Sequence, residues 1–177
     1  NMCNRYGVKK LLAFSSVCAM PDQFIVPIGT SPRGTGLQEE WMHLGDTPKE
    51  NWHYGHAKRM VDVLIDGAMK QYRRSNYCSV IPCNIFGPND NYQLGVCHVV
   101  PALIHKLYLA KKQGGPLTVW GDGSAEREFI SSDDLASILM RLVDLPELPP
   151  RLLVSHSQPW MVSEIVQKLC NVTEFPN

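Results

Sequence analysis

The chain has no apolar run long enough to cross a membrane and no block of a single charge sign. Its 177 residues carry 17 Lys+Arg and 17 Asp+Glu, so the formal net charge is zero. A membrane helix requires about 20 consecutive apolar residues, and no signal peptide is recognisable at the start of the sequence. Nucleic acid and anionic membranes are therefore poor candidate partners.

The sequence also lacks the spacings that bind metals. Its cysteines form no C-x-x-C pair, and its histidines have no ligand spacing with thiols or carboxylates, so no metal site is predicted. Most of the cysteines lie in apolar runs, which is typical of reduced, buried thiols in a cytoplasmic protein. The residues concerned are Cys3, Cys18, Cys78, Cys83, Cys97 and Cys170, and His43, His53, His56, His105 and His156.

What the sequence does contain is an alternation of apolar strands and helices without internal repeats. A length of 177 residues suits one domain, and the alternation predicts an α/β fold with a mostly parallel sheet. Leu11–Phe14 is expected to be a strand buried on both faces. Further strands are predicted at Tyr77–Ile85, Leu117–Trp120, around Arg127–Ile130 and at Leu152–Ser155, and helices at Tyr54–Arg74, His98–Lys112, Leu135–Val143 and Val162–Leu169.

Two regions stand outside this alternation. Residues 27–51, rich in Gly, Pro, Thr and Ser, are predicted to form a long surface excursion too polar for the core. Residues 1–8 are typical of the last turn of a helix with a glycine C-cap, and residues 174–177 stop without a terminating element. Both ends indicate a piece of something longer.

Tyr54 and Lys58 are spaced to share one face of the Tyr54 helix. A phenol transfers protons poorly at neutral pH, but a nearby ammonium stabilises the phenolate. Alone, this pair is more often two residues on a solvated helix face. It gains weight because a strand ending in Ser15-Ser16 precedes it and Pro82-Cys83-Asn84-Ile85-Phe86-Gly87-Pro88 follows it.

Five finer motifs narrow the comparison. The motifs are Ser16-Val17-Cys18 with Pro21 close behind, Tyr54-Gly55-His56-Ala57-Lys58-Arg59-Met60, Gly87-Pro88-Asn89-Asp90-Asn91-Tyr92, His98 to Lys106, and Leu117-Thr118-Val119-Trp120-Gly121. Together they resemble the GDP-L-fucose synthase family of extended short-chain dehydrogenase/reductases. The similarity runs from about residue 3 to about residue 170 and is most specific where Cys18 and His98 occur in their motifs.

This resemblance implies a partial Rossmann-like sheet with flanking helices, plus part of a smaller C-terminal substrate-binding region. It implies that residues 1–96 form the C-terminal half of the nucleotide-binding sheet and residues 97–177 part of the substrate-binding region. The implied activity is NADPH-dependent conversion of GDP-4-keto-6-deoxy-D-mannose to GDP-L-fucose by 3,5-epimerisation and 4-reduction. The implied partners are the GDP-sugar and, in the full-length family, a second copy forming a homodimer.

The resemblance also implies roles for individual residues. Cys18 and His98 would exchange the protons at C3 and C5, and Tyr54 would give the proton in the reduction. Ser16 would hydrogen-bond the carbonyl or the tyrosine oxygen, and Lys58 would hold the nicotinamide ribose and favour ionisation of the phenol. The implied NADP(H) contacts are Ser15, Tyr54, Lys58, Pro82, Asn84, Ile85 and His98, and the implied substrate contacts are Asn84, Val99, Lys106, Trp120 and Arg127. Four of these residues have simpler alternative explanations. Cys18 is then a small apolar residue at a strand end, and Ser16 an ordinary strand-end hydroxyl. His98 is then a residue at a helix N-terminus that bonds to a neighbour, and Trp120 a core residue.

The chain departs from the family pattern in several places. No Gly-x-x-Gly-x-x-Gly phosphate loop is present, Val17 stands where Ser or Thr is usual, and the excursion from Gly29 to Asn51 is longer than the family norm. An enzyme of which this is the central portion therefore competes with a remnant that acts as a non-catalytic interaction or scaffold protein. A third alternative is another nucleotide-sugar epimerase or dehydratase, although those usually place Thr followed by Asp or Glu near the position of Cys18.

Overall fold

In the computed structural model, residues 2–24, 37–73, 76–156 and 158–175 are described. Their helices and strands alternate as the sequence predicts. The elements, in chain order, are α1 Met2–Arg5, β1 Leu11–Phe14, α2 Trp52–Tyr72, β2 Tyr77–Pro82, β3 Asn84–Phe86, α3 Val99–Gln113, β4 Glu126–Ser131, α4 Ser132–Asp144, β5 Arg151–Val154, β6 Pro159–Met161 and α5 Val162–Thr173.

The first sheet is parallel, with the strand order β1-β2-β5. The helix α2 connects β1 to β2, which is the crossover that parallel neighbours require. Every residue of β2 is buried, as expected for its central place. The α/β class and the parallel sheet are therefore confirmed. β5 lies in the region beyond residue 97 that was expected to bind substrate. The chain therefore returns to the first sheet after it has contributed strands to a second sheet.

β1 differs from its prediction. It was expected to be buried on both faces, but its first three residues are only half-buried and Phe14 exposes 40% of its surface. The reason is its position: β1 pairs with β2 alone and is an edge strand among the described residues. An apolar run does not distinguish a central strand from an edge strand.

The second sheet has the order β3-β4-β6, with β3 and β4 parallel and β6 antiparallel to β4. The single strand predicted at Tyr77–Ile85 is therefore wrong, because the chain passes from one sheet to the other at Cys83. Pro82 has no backbone N–H to continue a ladder. The Cys83 N–H bonds to the Val154 carbonyl at 2.9 Å, and Asn84 then begins the new pairing.

Helix α2 begins two residues earlier than predicted and ends at Tyr72, where Arg73 adopts a left-handed φ of 51°. The predicted end at Arg74 lies outside the described residues. The expected wide apolar band is only partly buried. Ile65 is buried, whereas Met60, Val63 and Leu64 are each about half exposed.

Two further predictions need correction. Residues 117–120 form no strand, because four residues between Gly114-Gly115-Pro116 and Gly121 find no partner strand among the described residues. The short strand β6 was not predicted, since three residues are too few for a periodic signal. The helix α4 was expected at Leu135–Val143, but it begins at Ser132, with the Ser131 hydroxyl accepting from the Asp134 N–H at 3.0 Å.

The excursion is more buried than its composition predicts. Its residues 27–36 lie outside the described part of the chain, but Met42 is fully buried in a cluster with Ala19, Met20 and Ile81. Thr47 is 1% exposed. The segment from residue 37 to 51 therefore packs against the first sheet through the apolar Met42, and it buries the polar Thr47 as well.

A second cluster fills the space between the first sheet and α4. It contains Cys78, Val80, Cys83, Ile130, Leu135, Leu142, Leu148 and Val154. None of the helices in the described ranges has the length and apolarity of a membrane span.

Candidate active site

The carboxyl end of β1 carries the first group of predicted site residues. The buried Ser15 extends the ladder, its N–H bonding to the Val80 carbonyl at 2.7 Å. Its hydroxyl donates to the backbone carbonyl of Lys58 at 2.9 Å. Ser15 therefore ties the strand end to the second turn of α2, and both of its hydrogen bonds serve the protein backbone.

Ser16 and Cys18 follow in a tight turn. Ser16 caps a 3-10 turn at Val17–Ala19, and its hydroxyl oxygen accepts from the Cys18 N–H at 3.2 Å. A hydroxyl that accepts one bond still has its proton to donate. Ser16 can thus offer a hydrogen bond to a carbonyl oxygen while the Cys18 side chain, half-buried, stands beside it.

Tyr54 and Lys58 stand on the first turns of α2, as predicted. The Lys58 ammonium lies 5.8 Å from the centre of the Tyr54 ring and donates to the Phe14 carbonyl at 3.3 Å. Tyr54 exposes 50% of its surface. A cation at this distance interacts favourably with an aromatic ring, and the half-exposed phenol is accessible to a ligand at the end of β1.

A second group gathers where β3 meets β4. Asn84 pairs with Phe129, and its side-chain amide donates to the Glu128 carbonyl at 2.9 Å. Ile85 exposes 40% of its surface, whereas Pro82 is buried at the end of β2. Arg127 on β4 is exposed. One donor of the Asn84 amide is thus occupied by the second sheet.

A third group lies on and beside α3. His98 occupies the N-cap position, is exposed, and does not cap the helix with its ring. Val99 follows it and is half-buried. Lys106 lies over the indole of Trp120 at 4.1 Å from the ring centre. Trp120 is 77% exposed, so it is not a core residue.

Direct hydrogen bonds therefore join Ser15, and the carbonyl of Ala19 in the turn after Ser16, to the helix that carries Tyr54 and Lys58. Separate contacts join Lys106 to Trp120. The convergence of Cys18 and His98 on one sugar ring stays a prediction, as do the ligand contacts assigned to the other residues.

The sequence did not indicate several polar residues that join the elements around this site. Asp62, 2% exposed, accepts from Arg151 Nε and Nη2 at 2.7 Å each and contacts His43 Nε2 at 2.7 Å. Burial alone raises the pKa of Asp62, but the hydrogen bonds and charges of Arg151 and His43 hold it below its usual value. Arg59, the residue after Lys58, was quoted only as part of a motif. Its adjacency to Lys58 was the one signal available.

The six cysteines are all free thiols. Cys78, Cys83 and Cys170 are buried, and the other three are half-buried, so the expected burial holds for half of them. Burial raises the pKa of Cys78 and of Cys83 to about 11, with Asp62 adding to the effect at Cys78 and Glu128 at Cys83. Within the described residues, no three His, Cys, Asp or Glu side chains form a group that could hold a metal ion.

The chain is similar to GDP-L-fucose synthases in both sequence and structure. It is 36% identical over 175 residues to the GDP-L-fucose synthase of Dictyostelium discoideum, covering 98% of this chain and 52% of the relative. A crystal structure of a GDP-L-fucose synthetase from Naegleria fowleri superposes with a TM-score of 0.81 at 29% identity, covering 99% of this chain and 53% of that one. The same enzyme bound to NADP gives a TM-score of 0.79, with the same identity and coverage.

These comparisons confirm the resemblance inferred from the motifs. They also show that the chain spans about half the length of the relatives it matches. The model of the NAD dependent epimerase/dehydratase family matches residues 1–152, and the parallel sheet with its Tyr54 and Lys58 helix agrees with that match. The chain belongs to the NAD dependent epimerase/dehydratase family.

Proposed function

We propose that this chain belongs to an NADPH-dependent epimerase/reductase that converts GDP-4-keto-6-deoxy-D-mannose to GDP-L-fucose. The observation that carries the proposal is the contact between two elements. The turn with Ser16 and Cys18 leaves β1 against the same helix, α2, that presents Tyr54 and Lys58. A proton-exchanging thiol and a proton-donating phenol thus belong to one packed unit.

The epimerase step is assigned to Cys18 and His98. A keto group at C4 acidifies the hydrogens at C3 and C5, so a base on one face and an acid on the other invert each centre through an enolate. The thiol and the imidazole are chemically suited to this exchange. His98 leaves its ring unused by the helix cap, and Cys18 is half-buried rather than sealed in the core.

The reductase step is assigned to Ser16, Tyr54 and Lys58. The Ser16 hydroxyl has a proton to donate to the C4 oxygen, which stabilises negative charge that develops there. Tyr54 supplies the proton that converts this oxygen to a hydroxyl. The Lys58 ammonium near the ring stabilises the phenolate that remains.

The residues present fit the nicotinamide-ribose end of the cofactor, whereas the loop that would hold its pyrophosphate is absent from this chain. An ammonium has three donors, and one bond from Lys58 to the Phe14 carbonyl fixes it at the strand end where ligands of open α/β sheets bind. Lys58 and Tyr54 would hold the ribose, and Ser15, Pro82, Asn84, Ile85 and His98 would make the other cofactor contacts. When bound, NADPH supplies the hydride for C4.

Recognition of the GDP-sugar is assigned mainly to the second half of the chain. The exposed Trp120 offers a face for stacking a base, and Arg127 is an exposed cation suited to a pyrophosphate. Lys106 is already close to Trp120 and would add charge there. Asn84 and Val99 complete the set. On this basis, residues 1–96 serve mainly the cofactor and catalysis, and residues 97–177 mainly the substrate.

A cytoplasmic homodimer is part of the same proposal. Met60, Val63 and Leu64 expose an apolar stripe on α2, between 47% and 63% of each residue's surface. A second copy packing on this stripe would cover it. The free thiols are compatible with a reducing compartment.

This chain lacks the Gly-rich phosphate loop, so by itself it is expected to bind no detectable NADPH. The test is therefore to incubate a version of the protein that includes such a loop with GDP-4-keto-6-deoxy-D-mannose and NADPH, and to follow NADPH oxidation and the sugar product by chromatography and NMR. We expect GDP-L-fucose. Binding of the GDP-sugar without deuterium exchange at C3 or C5 and without NADPH oxidation would identify the non-catalytic alternative instead.

A further inference from the structure

The turn that carries Cys18 is held by α2 through two residues with no assigned role. The first is Gly55, next to Tyr54. A Cβ built on Gly55 would lie 2.4 Å from the Cys18 carbonyl oxygen and 2.9 Å from Thr47 Cβ. Real Cβ atoms do not approach a backbone oxygen so closely, so only glycine lets the helix and the Cys18 turn come this near to each other.

The second is Arg59, next to Lys58. Its Nε and Nη2 donate to the Ala19 carbonyl at 2.9 and 2.7 Å, and its Nη1 donates to the Gly45 carbonyl at 2.7 Å. Ala19 directly follows Cys18 and is fully buried. One guanidinium therefore binds the Cys18 turn and the segment that packs over it.

Burying part of the Arg59 guanidinium removes water from a charged group, which is unfavourable. Burial lowers the pKa of Arg59, and the charge of Asp46 offsets the effect only in part. These three hydrogen bonds go to neutral carbonyls rather than to a carboxylate. A guanidinium fork fixes both the direction and the distance of the groups it binds, which a single ammonium does not.

The contacts of Gly55 and Arg59 lie next to the proposed catalytic residues on α2. Gly55 and Arg59 are four residues apart and therefore share a face, one position on from Tyr54 and Lys58. One row of residues on α2 therefore presents Tyr54 and Lys58, and the neighbouring row contacts the turn that carries Cys18. A shift of this turn along α2 would change the distance from the Cys18 sulfur to the Tyr54 hydroxyl.

We propose that Arg59 is a positioning residue that fixes the Cys18 thiol relative to the Tyr54 phenol. The inference rests on the proposed function for its catalytic consequence. Its structural part, that the arginine restrains one particular thiol, holds or fails independently of any activity.

The test compares Arg59→Met and Arg59→Lys with Lys70→Met, which removes an exposed cation from the same helix. The first measurement is the rate of iodoacetamide modification of each cysteine, resolved by mass spectrometry of peptides. Cys97 and Cys3 are half-buried internal references, and Cys78 and Cys83 are buried references.

We expect Arg59→Met to raise the modification rate of Cys18 about tenfold, because the turn loses its hydrogen bonds and opens more often. The rates at Cys97 and Cys3 should change less than about twofold, since neither lies in the turn that Arg59 binds. Arg59→Lys should recover part of the restraint, because an ammonium can still reach one carbonyl. Lys70→Met should leave every rate unchanged.

The second measurement uses the active protein. Deuterium exchange at C3 and C5 should fall by about tenfold or more in Arg59→Met, whereas reduction of the sugar already inverted at both centres should fall much less. An equal fall in both half-reactions would overturn the positioning role, as would an unchanged Cys18 modification rate or equal changes at Cys18 and Cys97.

The two proposals fail differently. If the unsubstituted protein shows no exchange and no reduction, the proposed function fails, and the thiol rates still decide whether Arg59 restrains Cys18. If Arg59→Met does not fold, the comparison of Arg59→Lys with Lys70→Met decides the question by the same rates.

Discussion

Asp62 of α2 and Arg151 of β5 form a bidentate ion pair between elements 89 residues apart, with both N–O distances at 2.7 Å. The carboxylate is almost fully buried and His43 contacts it from a third element. Arg151 also donates to the Glu39 carbonyl, and the Glu39 side chain accepts from the Leu153 N–H. The pair thus joins β5, α2 and the segment that contains Glu39 and His43.

Replacing Asp62 by Asn should destabilise the fold by about 3 kcal/mol, because it leaves the Arg151 charge partly buried without its partner. The free energy of unfolding is obtained from urea titrations followed by circular dichroism. Asp66→Asn is the control on the same helix, where an exposed pair with Lys70 contributes about 0.5 kcal/mol or less. Equal effects of the two substitutions would show that the buried pair contributes little.

The same pair should make stability depend on pH in the acid range. The folded-state pKa of Asp62 lies below its ordinary value of 3.8. Its stabilisation is therefore fully present above about pH 5 and is lost as the pH falls through the folded-state pKa. The free energy of unfolding measured between about pH 5 and pH 2 should fall more steeply in the unsubstituted chain than in Asp62→Asn. Parallel pH profiles would contradict this contribution.

Gly55→Ala should destabilise the protein by about 2 kcal/mol despite the higher helix propensity of alanine. The new Cβ would meet the Cys18 carbonyl oxygen at 2.4 Å, and neither backbone can move without disturbing the buried turn. Gly67→Ala is a matched control, since its Cβ meets nothing within 4 Å. That control should stabilise the helix by about 0.5–1 kcal/mol. Thermal unfolding of both variants measures the difference in stability. A stabilised Gly55→Ala variant would show that the space between Gly55 and the Cys18 carbonyl is large enough for a methyl group.

Tyr54→Phe and Cys18→Ser should separate the two half-reactions of the active protein. Without its phenol the site cannot protonate the C4 oxygen, so reduction should fall by about 100-fold or more while deuterium exchange at C3 and C5 remains measurable. Cys18→Ser should slow the exchange far more than it weakens NADPH binding. NMR of the sugar and fluorescence titration of NADPH provide the measurements. Loss of exchange in Tyr54→Phe would show that the two steps share the phenol.

The local patterns were sufficient to predict the α/β class and the main helices. Periodic apolar residues predicted α2 and α3, and the continuous run from Tyr77 predicted the buried central strand β2, because burial on a face imposes a period that one sequence displays. The motifs around Cys18, Tyr54 and His98 were sufficient to predict the family. Turn chemistry also predicted the left-handed Gly7 after α1, whose φ is 64°.

Other features depend on neighbours that lie far away along the chain. That β1 is an edge strand, that Tyr77–Ile85 divides between two sheets at Pro82 and Cys83, and that residues 117–120 find no partner strand are consequences of sheet assembly. The periodicity of a segment carries no information about which strand lies beside it.

The sequence by itself determined the residue types of the site and the helical spacing that aligns Tyr54 with Lys58. Only the tertiary structure decided that Arg59 grips the carbonyl after Cys18, that Gly55 must lack a side chain, and that Asp62 meets Arg151. The physical reason is that these contacts join side chains to groups about 40 to 90 residues away. Such contacts produce no periodic pattern in the sequence, because each depends on how separate elements pack against one another.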